Sequence, residues 1–526
     1  MEKQNGRRFI SIIFFLILVV NIITFSGCLE QNDNEENIND ISLRIGLGAD
    51  EYINHYPLID FISGQFLSIN SNIYNSLVEF NEKFEIVPAL AKNWYNPNNL
   101  TWRFNLREDV KFHNGYNFSA EDVKFTLEKI KENKNNSIYL HFVIVKEINI
   151  IDNYTIDIIT DEPDPILLNY LTYVFIVSKK NYEETSNIPQ IGTGPYQFIY
   201  YNKDESLKLE RYDGYWGIRP SYNNVTFTFF NDSTKQIDSL YRGDLDFIYF
   251  IETEKAEEVS KNVSFKIVTF SFPVFYYLGF DFRENDSCCF EGKNPVSDIR
   301  VRKAIYYSIN IEEIINNNLL GYGKPLSQYV NSNIIGFNPN IIRYPYDLNT
   351  ARIYMKEAGY ENGFEINLDC FDRGYRKNVS LMISNQLSEI NISVNVNILS
   401  RYDFIQKAFL NRNSSFYFLG WQIDTGDAGE IIKSILHSVD VENGSGDSNF
   451  GYYSNPEIDT ISKNINYEMN QKKRVDLIQE SFKIAMNDVA IIPLYEVEYA
   501  YVMKNQFSFT PRGNAIFKID DITINS

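Results

Sequence analysis

The sequence predicts a mixed α/β protein built from more than one domain. The chain has 526 residues, whereas a single hydrophobic core stops growing near roughly 250–300 residues. Strand-like and helix-like patterns alternate along it in short blocks. In the C-terminal half, a strand pattern at 366–369, a helix pattern at 378–389 and a second strand pattern at 394–399 are typical of a βαβ unit.

Other local patterns support the same class. Residues 43–47 and the strictly alternating residues 101–106 predict strands. Ser119, followed three residues later by Asp122, predicts a helix that opens with a capping box. A helix pattern over 348–358 ends at a glycine, as helices commonly do.

Composition narrows the function. Acidic residues outnumber basic ones by 69 to 49, which gives a net charge of −20 and predicts no nucleic-acid partner. Four scattered histidines and four cysteines leave little material for metal or thiol chemistry. No phosphate-binding glycine loop, nucleophile elbow or zinc-binding helix motif occurs. We therefore predict no cofactor, no metal and no catalytic residue.

The N-terminus has the marks of an export signal. Three basic residues precede an apolar run at 9–20, which is shorter than the about 20 residues a membrane span needs. The run leads to Phe-Ser-Gly-Cys, which resembles the lipobox of exported lipoproteins and implies lipidation at Cys28. The alternative is an uncleaved anchor over 1–25. Both place the rest of the chain at the outer face of the cell membrane, after a tether up to residue 40.

The remaining cysteines leave the disulfide question open. Cys288, Cys289 and Cys370 allow at most one intramolecular bridge. Sequence does not decide whether Cys370 pairs with either neighbour.

A series of ordered blocks resembles a known family, the family 5 extracellular solute-binding proteins that serve ABC importers of peptides and nickel. The blocks read IYNSLVEF at 73–80, IVPALA at 86–91, LTWRFNLR at 100–107, VKFHNG at 110–115, SAEDV at 119–123, IGTGPY at 191–196, YDGYWG at 212–217, DIRVRKA at 298–304 and EAGY at 357–360. The pattern is most similar to that of dipeptide-binding proteins. The resemblance covers nearly all of the chain after the signal.

The resemblance implies a type II periplasmic-binding-protein-like fold, in which two mixed α/β lobes close on a cleft and an extra domain is inserted. The expected division is a lipoprotein signal peptide at 1–27, a tether at 28–40, a discontinuous domain I at 41–75, 190–272 and 491–526, an inserted domain II at 76–189 and domain III at 273–490.

The resemblance also nominates ligand contacts. Residues 420–427 read Gly-Trp-Gln-Ile-Asp-Thr-Gly-Asp, as in dipeptide binders, where the Asp three after the Trp pairs with the α-ammonium of the peptide. This implies that Asp424 binds the ammonium and that Trp421 packs on the ligand. The alternative is that Asp424 and Asp427 cap a helix at about 428–438.

A second motif suits the other end of a peptide. Dipeptide binders place Arg-x-Tyr after a strand of domain III, and this chain has Arg373-Gly374-Tyr375 there. Arg373 is thus the implied carboxylate anchor, with Tyr375 as its neighbour. Arg401 falls near the position of an aromatic ligand contact. Glycine at 374, where dipeptide binders tend to have proline, leaves peptide length open, and a solvated loop is the alternative.

These observations predict a non-enzymatic, monomeric receptor. It would capture short peptides by hinge closure and deliver them to a membrane permease, while separate subunits use ATP. Within the family the alternative ligand is a metal chelate, such as nickel with a small organic acid. An exported hydrolase is the alternative from another class.

Overall fold

The structure is a computed structural model, and it describes residues 41–49, 64–134, 138–185, 190–251, 253–285, 290 and 292–525. The export signal, Cys28, Cys288 and Cys289 lie outside the described residues. Within them, Cys370 is buried and free. None of the described helices is both long and apolar enough to cross a membrane.

The strands are numbered in chain order. They are β1 (Ser42–Leu47), β2 (Val78–Phe80), β3 (Ile86–Pro88), β4 (Ala91–Asn98), β5 (Thr101–Leu106), β6 (Val145–Asp152), β7 (Thr155–Thr160), β8 (Tyr196–Asn202), β9 (Ser206–Arg211), β10 (Asn224–Phe229), β11 (Phe247–Ile251), β12 (Phe265–Phe280), β13 (Gly323–Pro325), β14 (Phe364–Phe371), β15 (Ile392–Leu399), β16 (Phe416–Gln422), β17 (Ile491–Lys504), β18 (Phe507–Phe509) and β19 (Ile522–Ile524).

The α-helices are numbered in the same way. They are α1 (Gly64–Ile73), α2 (Ala120–Glu132), α3 (Tyr139–Phe142), α4 (Leu167–Leu171), α5 (Lys179–Thr185), α6 (Ser233–Arg242), α7 (Thr253–Ser260), α8 (Ile299–Tyr307), α9 (Ile311–Asn318), α10 (Leu348–Glu357), α11 (Arg376–Ser388), α12 (Arg401–Phe404), α13 (Gly429–Ile431), α14 (Pro456–Tyr467) and α15 (Gln471–Asn487). Two π-helical segments, Ile405–Leu410 and Ile432–Leu436, continue α12 and α13.

The described residues form one large mixed sheet of eleven strands. Its order is β15-β14-β16-β12-β17-β11-β1-β10-β9-β8, and β13 pairs with β17 at the side. The long strands β12 and β17 run antiparallel to each other through both halves of this sheet. Strands β15, β14 and β16 lie on one side of this pair and form one half of the sheet, and β11, β1, β10, β9 and β8 lie on the other side and form the second half. The pair β12 and β17 belongs to both halves.

A smaller sheet of order β4-β5-β7-β6 lies between β3 and β8 in the sequence. Its alternating strand β5 buries Trp102, Phe104 and Leu106 on one face. The large apolar cores follow the two halves: one contains β1, β5, β7 and β10 residues, and the other contains β14–β16 residues with α8–α11. Each half is thus stabilised by a hydrophobic core of its own, as expected for a chain of this length.

The local predictions are confirmed in type, and their bounds shift by a few residues. The predicted strand–helix–strand of the C-terminal half is β14-α11-β15, and β14 pairs with β15 in parallel. Ser119 and Asp122 form the predicted capping box at α2. The helix predicted at 348–358 is α10, which is capped by Asp347.

Candidate functional site

Three neighbouring strands end at the same edge of the large sheet. β14 pairs in parallel with β15 on one side and with β16 on the other, so their carboxyl ends, Phe371, Leu399 and Gln422, face the same way. At this edge β12 and β17 continue toward the other half of the sheet. The carboxyl ends of parallel strands are a common place for ligand sites in α/β proteins. All five ligand-contact residues predicted from the sequence lie at or just beyond these three strand ends.

The segment after β16, residues 423–430, is called the acidic loop here. Its Asp427 is 2% exposed and pairs bidentately with Arg474 of α15, with Oδ1 at 2.9 Å from Nη2. Oδ1 of Asp427 also accepts the backbone N–H of Gly429, at 2.7 Å, where α13 begins. Asp427 therefore holds the loop and the start of the helix in place, in agreement with the capping interpretation of this residue.

Asp424 is placed differently. Its side chain is exposed to solvent, and its Oδ1 accepts a hydrogen bond from the side chain of Gln422 at 2.6 Å. Among the described residues it accepts no backbone N–H of α13 and forms no ion pair. It nevertheless lies in a recess, where partial loss of water raises the pKa of its carboxyl, opposed by the Gln422 hydrogen bond.

The backbone of the acidic loop is tied to a distant segment of the chain. The Tyr173 hydroxyl donates to the carbonyl of Asp424 at 2.5 Å, and Asn169 donates to the carbonyl of Thr425 at 2.7 Å. Both donors lie at or just after α4. The position of Asp424 is thus set by backbone contacts, which leave its carboxylate free to meet a ligand.

Glu430 adds a second carboxylate that the sequence did not lead us to expect. Its Oε2 accepts the Thr425 hydroxyl at 2.6 Å and its Oε1 lies 3.4 Å from the indole N–H of Trp421. Burial raises the pKa of Glu430 to about 8, against these hydrogen bonds, and the neighbouring charge of Asp424 raises it further. Trp421 is half-buried and packs on the core, so its ring is also a wall of this recess.

The segment between β14 and α11, residues 372–376, is called the arginine turn here. Arg373 is exposed, Gly374 has a positive φ of 53°, and Tyr375 is half-buried as the residue before α11. The Tyr375 ring lies 6.1 Å from Tyr276 and 6.4 Å from Tyr495, centroid to centroid. The predicted pair Arg373 and Tyr375 therefore occupies one tight turn, with the arginine outward and the tyrosine against an aromatic cluster.

Arg376, the first residue of α11, is 7% exposed. Its guanidinium carbon lies 3.9 Å from the ring centre of Phe371 and 5.2 Å from that of Tyr276. Its Nη1 is buried and has no hydrogen-bond partner among the described residues. Room for Tyr276 comes from Gly420, the residue opposite it on β16, where a Cβ would approach the tyrosine ring to 2.8 Å.

An aromatic floor continues from this turn along the shared strands. Tyr499 of β17 lies 5.5 Å from Phe272 of β12 and 5.1 Å from Phe250 of β11, between ring centroids. Burial raises the pKa of Tyr499 to about 12, while the charges of Arg373 and Arg376 act to lower it. Apolar walls with a few polar groups are typical of ligand clefts.

Arg401 opens α12 just after β15, is exposed, and is brought to the same edge by the parallel pairing of β14 and β15. Sequence reasoning missed Glu430, Arg376, Tyr173 and Tyr499. The proximity of Arg376 to Arg373 was a usable signal, because a second basic residue stands three positions after the predicted carboxylate anchor, although the structure exposes Arg373 and buries Arg376. Among the described residues, no group of three or more His, Cys, Asp or Glu could hold a metal ion.

Comparisons with known proteins agree with this geometry. Residues 85–443 match the model of the bacterial extracellular solute-binding proteins, family 5. The dipeptide-binding protein of Escherichia coli (strain K12) is 25% identical over 466 residues, which span 82% of this chain and 84% of that protein.

Solved structures share the fold. HbpA2 from Haemophilus parasuis superposes with a TM-score of 0.82 at 19% identity, covering 92% of this chain and 100% of that one. The ABC transporter-associated periplasmic binding protein DppA from Helicobacter pylori, in complex with the peptide STSA, gives a TM-score of 0.70 at 22% identity, covering 93% and 99%. The fold is thus that of the type II periplasmic binding proteins.

By name, the Escherichia coli relative and DppA are binding proteins, and DppA is associated with an ABC transporter. The family model matches more than half of the chain, and the protein belongs to the family 5 extracellular solute-binding proteins.

Proposed function

We propose that this protein is the substrate-binding component of an ABC importer, which captures short peptides outside the cell and delivers them to a membrane permease. The observation that carries the proposal is the pair of unpaired charges of opposite sign at one sheet edge. Asp424 and Arg373 follow the neighbouring parallel strands β16 and β14, and neither has an ion-pair partner among the described residues.

A short peptide is a zwitterion, and this edge offers a group for each end. Its ammonium group, once enclosed, needs a carboxylate, because an unpaired charge out of water is costly. Asp424 fills that role, and Glu430 is close enough for the charges of the two carboxyl groups to interact. The carboxylate end suits Arg373, whose planar guanidinium can donate two parallel hydrogen bonds. Trp421 and Tyr375 supply apolar walls, and Arg401 adds positive charge at the rim.

The relatives include peptide binders, and the same fold is shared by NikA from Staphylococcus aureus in complex with Ni(L-His)2, so the choice of peptides depends on the opposite charges at the sheet edge. The Escherichia coli relative is a dipeptide-binding protein, and the Helicobacter pylori structure holds the peptide STSA. The proposal extends this ligand class to the present chain. It also adopts the domain division expected from the sequence, with the ligand enclosed between domains I and III, a monomeric receptor, and an anchor at a lipidated Cys28.

The test is to purify residues 29–526 without stripping and to identify the co-purifying small molecules by mass spectrometry. We expect peptides with free amino termini. A parallel titration uses the stripped protein with trialanine and N-acetyl-trialanine, and only the first is expected to bind tightly. A bound metal complex, hydrolysis of the peptide, or equal binding of the acetylated peptide would contradict the proposal.

The control variant is Asp238→Asn, which removes an exposed carboxylate on α6, outside the two site segments. It should leave binding of trialanine unchanged, whereas Asp424→Asn should weaken it strongly. Anchoring is checked separately: Cys28→Ser should release the mature protein from the membrane fraction of the producing cell.

A further inference from the structure

The guanidinium of Arg376 is enclosed without a paired charge. Arg343 also has an enclosed Nη2 without a partner, but its Nη1 donates to two backbone carbonyl groups, and the two other deeply buried arginines are fully engaged. Arg302 donates to four backbone carbonyl groups, and Arg474 pairs with Asp427. The side chain of Arg376 donates no hydrogen bond to a described group, and its Nη1 is enclosed without a partner. Its neighbours are the π faces of Phe371 and Tyr276.

Such an arrangement is costly unless a partner arrives. Cation–π contacts offset only part of this cost, because a buried donor without a partner loses its hydrogen bonds to water, and a charged donor loses more. Within the described residues Arg376 forms no ion pair, and neither does Arg373 on the same turn. Of the two carboxylates that precede Arg373 closely in the sequence, Asp369 is hydrogen-bonded by Lys407, Ser414 and Asn397, and Asp372 forms no ion pair within the described residues.

The helix that Arg376 begins is also left open. Most of the longer helices receive a side-chain cap at their first turn: α6, α8, α9, α10, α14 and α15 are capped by Asp232, Asp298, Asn310, Asp347, Asn455 and Asn470. The 13-residue α11 has Tyr375 at that position and no side-chain cap. The backbone N–H of Arg376 donates to the carbonyl of Arg373, and the partial positive charge of the helix N-terminus is available to an anion.

We infer that the arginine turn is a double anion site, in which Arg373 binds the terminal carboxylate of a peptide and Arg376 binds a second carboxylate on the side chain of the last residue. The receptor would then prefer peptides that end in Glu or Asp. This rests on the proposed function and adds a specificity to it.

The geometry assigns the two roles. Arg373 is exposed and so suits the backbone carboxylate of a ligand, while Arg376 is 7% exposed and stacks on Phe371 and Tyr276, as suits a side chain that inserts between aromatic rings. Because Nη1 of Arg376 is enclosed in the ligand-free chain, entry of a carboxylate requires a rotamer change at the guanidinium or at the half-buried Tyr375 beside it.

The test uses three tripeptides that differ only in the last side chain: Ala-Ala-Glu, Ala-Ala-Gln and Ala-Ala-Ala. Stripped protein, residues 29–526, is titrated with each by calorimetry. We expect Ala-Ala-Glu to bind at least tenfold more tightly than Ala-Ala-Gln. Arg376→Met, which keeps an apolar side chain against Phe371, should bring the two affinities within twofold of each other. Arg373→Met should weaken all three peptides to a similar extent.

The matched control is Arg352→Met on the exposed face of α10, which should leave the Glu-to-Gln ratio unchanged. The ratio separates a binding role from a structural one, because a merely destabilised variant loses stability without changing preference. Equal wild-type binding of Ala-Ala-Glu and Ala-Ala-Gln, or a preserved ratio in Arg376→Met, would overturn the inference alone. Binding of none of the three peptides would overturn the proposed function as well.

Discussion

The acidic loop and the arginine turn occupy equivalent places after neighbouring parallel strands, yet they treat charge in opposite ways. In the acidic loop, Asp427 is buried and fully paired, while Asp424 is exposed and meets only a neutral amide. In the arginine turn, the exposed Arg373 and the buried Arg376 are both without a carboxylate partner among the described residues. In the acidic loop the buried charge is the paired one, whereas in the arginine turn the buried charge has no partner of opposite charge.

The difference separates charges that hold the fold from charges that await a ligand. Asp424 is exposed and accepts the Gln422 hydrogen bond, so its carboxylate loses less water than an enclosed group and leaving it unpaired costs less. The guanidinium of Arg376 lies against aromatic rings with its Nη1 enclosed, so its charge stays uncompensated until an anion binds. The following predictions test this comparison, beginning with the largest expected effect.

The paired charge should dominate stability. Asp427→Asn leaves Arg474 buried without its partner, so we expect the free energy of unfolding to fall by about 3–5 kcal/mol. Urea denaturation followed by far-UV circular dichroism measures it, with Asp238→Asn as the control. A loss below about 1 kcal/mol would show that this pair does not hold the loop.

The exposed carboxylate should dominate binding instead. Asp424→Asn should weaken a peptide with a free amino terminus by about 2–5 kcal/mol, as for one member of a desolvated charge pair, and should barely change stability. Calorimetry with trialanine measures the loss. Unchanged affinity in the variant would reduce Asp424 to a solvated loop residue.

Glu430 should make the acidic loop sensitive to pH. Its pKa is raised to about 8, so between its ordinary value of about 4.3 and about 8 the folded chain holds a proton that the unfolded chain has lost. Stability from this group is therefore present at low pH and falls as pH rises through that window. Glu430→Gln should flatten the decline of Tm between pH 5 and 8.

The same titration bears on the ligand. An ammonium group favours ionised Glu430, so affinity for trialanine should rise with pH between 5.5 and 7.5, by up to about tenfold per unit. The charges of Asp424 and Asp427 raise the pKa of Glu430, and the charge of Glu430 raises the pKa of Tyr170 and of Tyr173. An identical pH profile in wild type and Glu430→Gln would assign the effect to Asp424 or to the peptide itself.

The smallest effect should come from the aromatic floor. Phe371→Leu removes a ring under the Arg376 guanidinium and should lower the free energy of unfolding by about 1–2 kcal/mol. Phe371→Tyr keeps the ring and serves as the control. If Phe371→Leu cost as much as Asp427→Asn, the stacking would be a main support of the fold, and the contrast between the two segments would fail.

The elements of this site were largely predictable from the sequence, because their causes are local. The β14-α11-β15 unit follows from short apolar patterns, and a resemblance to dipeptide binders nominated Arg373 after the first of these strands. The strand before Asp424, β16, was not predicted. Parallel pairing then brings the two strand ends to one edge whatever the details of packing.

The electrostatic state of the site was not predictable, because its causes are distant in sequence. Tyr173 holds the carbonyl of Asp424 from 251 residues away. The floor under Arg376 comes partly from Tyr276 on another strand, and that ring fits because Gly420 faces it. A lone Glu or Arg near a motif looks the same in the sequence whether it is solvated or enclosed.

The two strands shared by both halves of the sheet have a mechanical consequence. β12 and β17 join the halves as continuous backbone, and their pairing is interrupted by a register shift between Ser271 and Phe275. A change in the angle between the halves would have to twist these two strands, whose ladder is already interrupted there and again between Tyr276 and Tyr277. The closure proposed for ligand capture would then deform a continuous pair of strands and not a flexible linker.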